Sequence, residues 1–169
     1  MSVTFRRATA ADVPFLVSLL THADVEPFLA AAGTKTADAL LAELAEGEAD
    51  PAERGRFVLE FDGEPAGAVA FHRVNRRSRI AHLSGLAVLP DFRGRGLADK
   101  GALLVVRHLL DELGFHRLEL EVYGFNERAM KHAERIGYVR EGVRRRAYER
   151  DGGWVDGVRF GLLREDLDA

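Results

Sequence analysis

Apolar positions in this chain change their period several times, and each change predicts a new element. Val3 to Arg7 alternates and predicts a short strand. Thr9, with Asp12 three positions on and Pro14 still in the first turn, marks a helix start. Val13, Leu16, Val17 and Leu20 continue it at helical spacing. Residues 21–35 are irregular and include Pro27 and Gly33. A second helix is expected from about Thr36, with Leu40, Leu41 and Leu44 on one face. The acidic stretch from Glu46 to Gly55, broken by Pro51, reads as a loop.

The centre is rich in strands. Arg56 to Phe61 and Pro65 to Val74 flank Asp62-Gly63, a strong hairpin signal. After a polar turn, Arg79 to Leu89 is a longer apolar strand ending at Pro90. Leu97, Leu103, Leu104, Val106, Leu109, Leu110 and Leu113 then follow helical spacing up to Gly114. His116 to Tyr123 alternates, with Leu118, Leu120 and Val122 on one face. Asn126 to Ile136 is a short helix closed by Gly137. Tyr138 to Tyr148 and Trp154 to Leu163 form a last hairpin, and Trp154 is expected in the core beneath it. The order β-α-α-β-β-β-α-β-α-β-β implies an α/β sheet with helices on its faces. No repeat or long linker divides the chain, so residues 1–169 are read as one domain.

Composition narrows the function classes. The 169 residues are 47% hydrophobic and 30% charged, enough for one core and too balanced for global disorder. A net charge of −3 argues against a dedicated nucleic-acid binder. No apolar run approaches a bilayer span, and Met1 to Arg7 lacks a signal-peptide core, so a cytoplasmic location without a membrane role is expected. The chain has no cysteine, which removes disulfides, thiolate metal sites and a cysteine nucleophile. Its six histidines are scattered without metal-ligand spacing, so no metal is expected.

One stretch concentrates chemistry. Leu86 to Leu89 is strand, Pro90 to Gly96 is turn, and Leu97 opens a helix. Gly94 and Gly96 let backbone approach a ligand and accept positive φ. The following helix offers unpaired N–H groups and a positive dipole end, an anion site suited to phosphate. Arg93 and Arg95 add charge that can grip phosphate. A P-loop is excluded, because Lys100 precedes Gly101 rather than Ser or Thr. A dinucleotide fingerprint is disfavoured, because Asp99 stands where its third glycine belongs.

Arg93-x-x-Gly96-x-Ala98 resembles the R/Q-x-x-G-x-G/A motif of the GCN5-related N-acetyltransferase superfamily. The element order matches along nearly the whole chain. Asn126-Glu127-Arg128-Ala129 resembles the family's N-x-x-A helix start. Ile136-Gly137-Tyr138-x-x-Glu141-Gly142 and Asp151-Gly152-x-Trp154-x-Asp156 resemble the branch of ribosomal-protein N-terminal and polyamine acetyltransferases. The resemblance implies a mixed, mostly antiparallel sheet of about seven strands with about four helices. It implies transfer of an acetyl group from acetyl-CoA to a primary amine, on a small molecule or a peptide N-terminus. The backbone of Leu86, Ala87 and Val88 would hold the pantetheine arm, and the amides from Gly94 through Arg95, Gly96 and Leu97 to Ala98 the pyrophosphate. A splay between the strand ending at Leu89 and that at Leu118 to Val122 would make the slot. Asn126 would contact the coenzyme, or serve only as a helix N-cap. Dimers are common in the family, so a homodimer is an expectation the residues do not address.

Without cysteine, direct attack in a ternary complex is expected rather than an acyl-enzyme. His82, eleven positions before Arg93 where relatives place a glutamate base, is the candidate base, or a strand histidine without a role. It should share a strand face with Ser84, Leu86 and Val88. The usual tyrosine acid, seven positions after Asn126, is Ala133 here. Tyr138 is a candidate acid in its place, or a packing residue where relatives have phenylalanine; Tyr123 and Ser84 are further options, or the thiolate leaves without a dedicated acid. Residues 21–35 and the final hairpin should line the acceptor pocket, with His22, Asp24 and Glu26 drawing a cation. Arg140, Arg144, Arg145, Arg146 and Arg150 read as a solvated strand surface. The missing tyrosine keeps a second class open: a coenzyme-binding regulatory module with little catalysis.

Overall fold

The computed structural model describes residues 1–29 and 36–169. Seven strands form one open sheet in the order β1-β2-β3-β4-β5-β7-β6. They are β1 (Val3–Arg7), β2 (Arg54–Phe61), β3 (Glu64–Asn75), β4 (Ile80–Val88), β5 (Arg117–Tyr123), β6 (Val139–Arg150) and β7 (Gly153–Leu163). Every neighbouring pair is antiparallel except β4 and β5. The helices are α1 (Val13–Leu20), α2 (Ala37–Ala49), α3 (Leu97–Arg107), prolonged by a π-turn over His108–Glu112, and α4 (Glu127–Ile136). Gly33 and the rest of the irregular stretch beyond Leu29 lie outside the described residues.

The turns follow their residues. Asp62 and Gly63 take φ of 50° and 85°, and Asp151 and Gly152 take 51° and 79°, the two successive positive values a tight hairpin requires. Thr36 Oγ1 accepts from Ala39 N at the start of α2, and Asn126 Oδ1 accepts from Ala129 N at the start of α4. Gly137 closes α4 with φ of 108°.

Helices cover both faces of the sheet. On one face α3 and α4 bury Val105, Val106, Leu109, Ala133 and Ile136 against Phe57, Phe71, Leu118 and Phe160. On the other, α1 and α2 bury Leu16, Leu19 and Leu40 against Ala68 and Ala87. Each fully buried side chain of this size contributes about 1.5–3 kcal/mol through apolar burial.

Three expectations are corrected. The acidic stretch is not all loop, because α2 runs to Ala49. Glu43 pairs with Arg56 at 3.1 Å and Glu46 with Arg54 at 2.6 Å, and Gly47 lets the helix lie close on β2. Leu41 is exposed, since it sits about 100° round the helix from Leu40. Trp154 is 66% exposed, not in the core: it stands at the tip of the β6–β7 hairpin, beyond the last β5 pair, Tyr123 with Gly157.

The sheet also carries a bulge. Ala68 pairs with Ala87 and Ala70 with Ser84, so two steps along β3 match three along β4. The extra residue falls at Gly85-Leu86, where Gly85 has φ of 64°. A Cβ on Gly67, beside this bulge, would come within 2.5 Å of Ala87 O. Gly67→Ala should therefore destabilise the fold by roughly 1–3 kcal/mol, measured by urea unfolding.

Candidate active site

The parallel pairing of β4 with β5 covers only Ile80 with Arg117, Ala81 with Leu118 and His82 with Glu119. Past His82 the two strands separate, and the β4 edge from Leu83 to Val88 faces a cavity of about 980 Å³. Leu120, Glu121 and Val122 of β5 form its far wall. The cavity passes through the sheet: Asp24 and Phe28 border it on the α1/α2 face, Ala102 and Ala129 on the α3/α4 face. Backbone N–H and C=O groups along such an edge need a partner, and an extended, amide-bearing chain supplies one.

The turn before α3 closes one end of the cavity. Gly94 and Gly96 have φ of 77° and 72°, and a Cβ on either would meet nothing within 4 Å. They are needed for backbone conformation rather than for space. Gly96 is the N-cap of α3, so the amides of Leu97 and Ala98 point out of the first turn. This arrangement fits a diphosphate. The two arginines act differently. Arg93 donates from Nε to Val88 O at 3.1 Å and from Nη2 to Asp24 O at 3.1 Å, tying the end of β4 to the loop after α1. Arg95 lies over the rings of Phe61 and Phe92, at 5.5 and 6.0 Å, and its side chain does not line the cavity. Asn126 lines the cavity and caps α4 at once.

The bulge decides which β4 residues share a face. His82 pairs with His72, Ser84 with Ala70 and Ala87 with Ala68, all on the α1/α2 side. Leu83 and Leu86 pack on the α3/α4 side, and Val88 packs against Leu97. The expectation that Leu86 and Val88 accompany His82 is thus reversed, because one inserted residue flips the alternation. Burial lowers the His82 pKa below its ordinary value; nearby His72 lowers it further, while Glu119 and Glu121 oppose. His82 is neutral at physiological pH, as a proton acceptor must be.

Tyr138 is 3% exposed, and its backbone N donates to Ala133 O. Its hydroxyl is buried on the cavity wall without a partner among the described residues, and burial pushes its pKa upward. Tyr123 is also buried, stacked on Phe125. Of His22, Asp24 and Glu26, only Asp24 lines the cavity; His22 Nδ1 accepts from Asp24 N within the turn.

Glu121 and Tyr148 were not singled out by sequence. Tyr148 Oη donates to Glu121 Oε2 at 2.9 Å, Arg144 reaches the same oxygen at 3.4 Å, and Glu121 Oε1 is buried without a partner among the described residues. In sequence, Glu121 is a polar position opposite Leu120 and Val122 and reads as solvent-facing; only the fold sets it on one cavity wall with Tyr148, across from Asp24 and Phe28. Arg150 donates to Pro27 O at 2.6 Å and lies over Tyr123, so Arg144 and Arg150 brace the cavity. Arg140, Arg144, Arg145 and Arg146 are exposed, as expected, and Arg150 is half-buried.

Residues 17–138 match the model of the acetyltransferase (GNAT) family. The chain belongs to that family. It is 32% identical over 120 residues to the spermidine N(1)-acetyltransferase of Escherichia coli, covering 71% of this chain and 63% of that one. An uncharacterized N-acetyltransferase of Bacillus subtilis, YokL, is 34% identical over 83 residues, 49% of this chain and 47% of its own. The chain thus spans less than two thirds of either relative. The E. coli N-acetyltransferase YjgM is 32% identical over 81% of this chain and 82% of its own. Among solved structures, a spermidine N-acetyltransferase from Vibrio cholerae in complex with CoA and spermine superposes with a TM-score of 0.86, covering 99% of this chain and 98% of that one. At 22% identity this likeness shows the fold. No helix among the described residues is long and apolar enough to cross a membrane.

Arg93→Ala removes the two hydrogen bonds that tie the end of β4 to the loop after α1, so it should destabilise the fold by roughly 1–3 kcal/mol, measured by urea unfolding.

Proposed function

We propose that the protein is an N-acetyltransferase that moves an acetyl group from acetyl-CoA to a small primary amine by direct attack in a ternary complex. The carrying observation is that one cavity joins a glycine turn suited to anions, an unpaired strand edge and a half-buried histidine whose pKa is lowered. Acetyl-CoA, when bound, supplies the acetyl group as a thioester. The amides of Gly94 to Ala98 would hold its diphosphate, and the β4 edge at Leu86, Ala87 and Val88 its pantetheine arm. An amide of that edge would donate to the carbonyl oxygen as negative charge develops there.

On the α1/α2 face, Asp24 and Glu121 favour a cationic acceptor. Polyamines are the first class to test, in line with the spermidine N(1)-acetyltransferase relative; a peptide N-terminus is the second. His82 takes the ammonium proton so that the nitrogen lone pair can attack. An amine near pKa 10 lies about four units above an ordinary imidazole, a cost of about 5 kcal/mol, and the lowered pKa of His82 adds to it. That fits within the roughly 16 kcal/mol barrier of an enzyme turning over about ten times per second. The Tyr138 hydroxyl, protonated throughout the working pH range, is the group proposed to hydrogen-bond the departing sulfur.

Ala133, where relatives carry the acid, favours a second reading: a coenzyme-binding regulatory module. Thiol release from acetyl-CoA with polyamines, amino acids, aminoglycosides and N-terminal peptides separates the two. Turnover with an amine supports the transferase, and binding without turnover on the whole panel supports the module.

His82 must be neutral to act, so kcat/KM should rise as pH increases through a midpoint below 6.5, with a second rise as the amine itself deprotonates. His82→Ala should lower kcat by roughly 10²-fold and abolish the lower limb alone; a retained lower limb removes His82 from the mechanism. Tyr138→Phe should lower kcat several-fold, about 1 kcal/mol, and leave coenzyme affinity measured by calorimetry unchanged.

A further inference from the structure

Asp99, in the first turn of α3, meets two side chains of α4. Arg135 donates to both Asp99 oxygens, at 2.7 and 2.9 Å, and His132 Nδ1 lies 2.5 Å from Asp99 Oδ1. With Arg135 bonded to it, Asp99 has its pKa held at about 2 and is a carboxylate, able only to accept. The shared hydrogen therefore belongs to Nδ1. Arg135 already balances the carboxylate, and burial disfavours a second cation, so the imidazole is neutral. Nε2 is left with a bare lone pair.

That atom is buried and has no hydrogen-bond partner among the described residues. The side chain is only 12% exposed, and it lines the cavity beside Asn126, Ala129 and Ala133 of the same helix. An acceptor buried in this way costs free energy unless a donor comes to it. The α3/α4 face carries the coenzyme side of the slot, whereas Asp24, His82 and Glu121 stand toward the opposite face. A phosphate offers oxygens, which a lone pair repels. The pantetheine arm offers amide N–H groups.

We propose that His132 is a coenzyme-binding residue, its Nε2 oriented by Asp99 to accept a hydrogen bond from an amide N–H of the pantetheine arm. The proposal rests on the coenzyme reading of the cavity given above. It assigns the Asp99–His132 pair to recognition of the arm, separate from the turn that holds the phosphates.

Calorimetry with coenzyme A and with its nucleotide half, adenosine 3′-phosphate 5′-diphosphate, tests it on the full chain. His132→Leu should weaken coenzyme A by about tenfold and the nucleotide half by less than twofold. His132→Gln, whose amide oxygen reaches close to the Nε2 position, should recover most of the loss. In the wild type, ¹⁵N NMR of the ring should show a proton on Nδ1, none on Nε2, and a shift of Nε2 on saturation with coenzyme A. Equal loss for both ligands in His132→Leu, no loss for either, or an Nε2 signal that coenzyme A leaves unmoved would overturn this proposal alone. No heat from wild-type protein with coenzyme A would overturn it together with the coenzyme reading.

Discussion

Everything at this site depends on how briefly β4 and β5 hold together. Three parallel pairs end at His82 and Glu119, and beyond them the sheet opens. Peptide groups cannot be left bare in an apolar setting without cost, so the opened edge is a standing demand for a hydrogen-bonding partner. On its other edge β4 stays paired with β3, apart from the bulge at Gly85-Leu86. What is left is a slot whose length suits an extended chain and whose end meets the first turn of α3.

The bulge also sorts the chemistry. With one residue inserted, His82, Ser84 and Ala87 face the first two helices, and Leu86 and Val88 face the others. The proposed proton acceptor thereby falls on one side of the sheet, and His132 with the start of α3 on the other. The α1/α2 side is held together by arginines bonded to backbone carbonyls, Arg93 to Asp24 and Arg150 to Pro27. Beneath it lies the buried pair of Arg56 and Glu43, each less than a tenth exposed. Such a pair is costly to bury and costlier to break, because either partner alone would be an uncompensated charge. It locks α2 onto the sheet next to the bulge.

Family membership and the 0.86 superposition at 22% identity show how far this architecture outlasts side-chain identity. Ala133 leaves a gap in hydroxyl chemistry, while the structure brings the buried Tyr138 hydroxyl and His132 to the neighbouring wall.

The strands, most of the helices and the glycine turn before α3 were legible in the chain itself, because each rests on local physics. Alternation marks a strand, a 3.6-residue period marks a helix, and Asp-Gly or Gly-x-Gly marks a turn through the φ values those residues tolerate. The limits of α2 were not legible, since charge pairs across to β2 keep Glu46 helical where composition alone suggests a loop. Glu121, Tyr148 and His132 were not legible either, because their significance comes from Asp24 and Phe28 across the cavity, β6 and Asp99, each distant in sequence. Sequence by itself determined the elements and the family. Only the tertiary structure decided which face His82 occupies, what Glu121 faces and which ring nitrogen faces the cavity, because those depend on one inserted residue and on long-range contacts that no local pattern encodes.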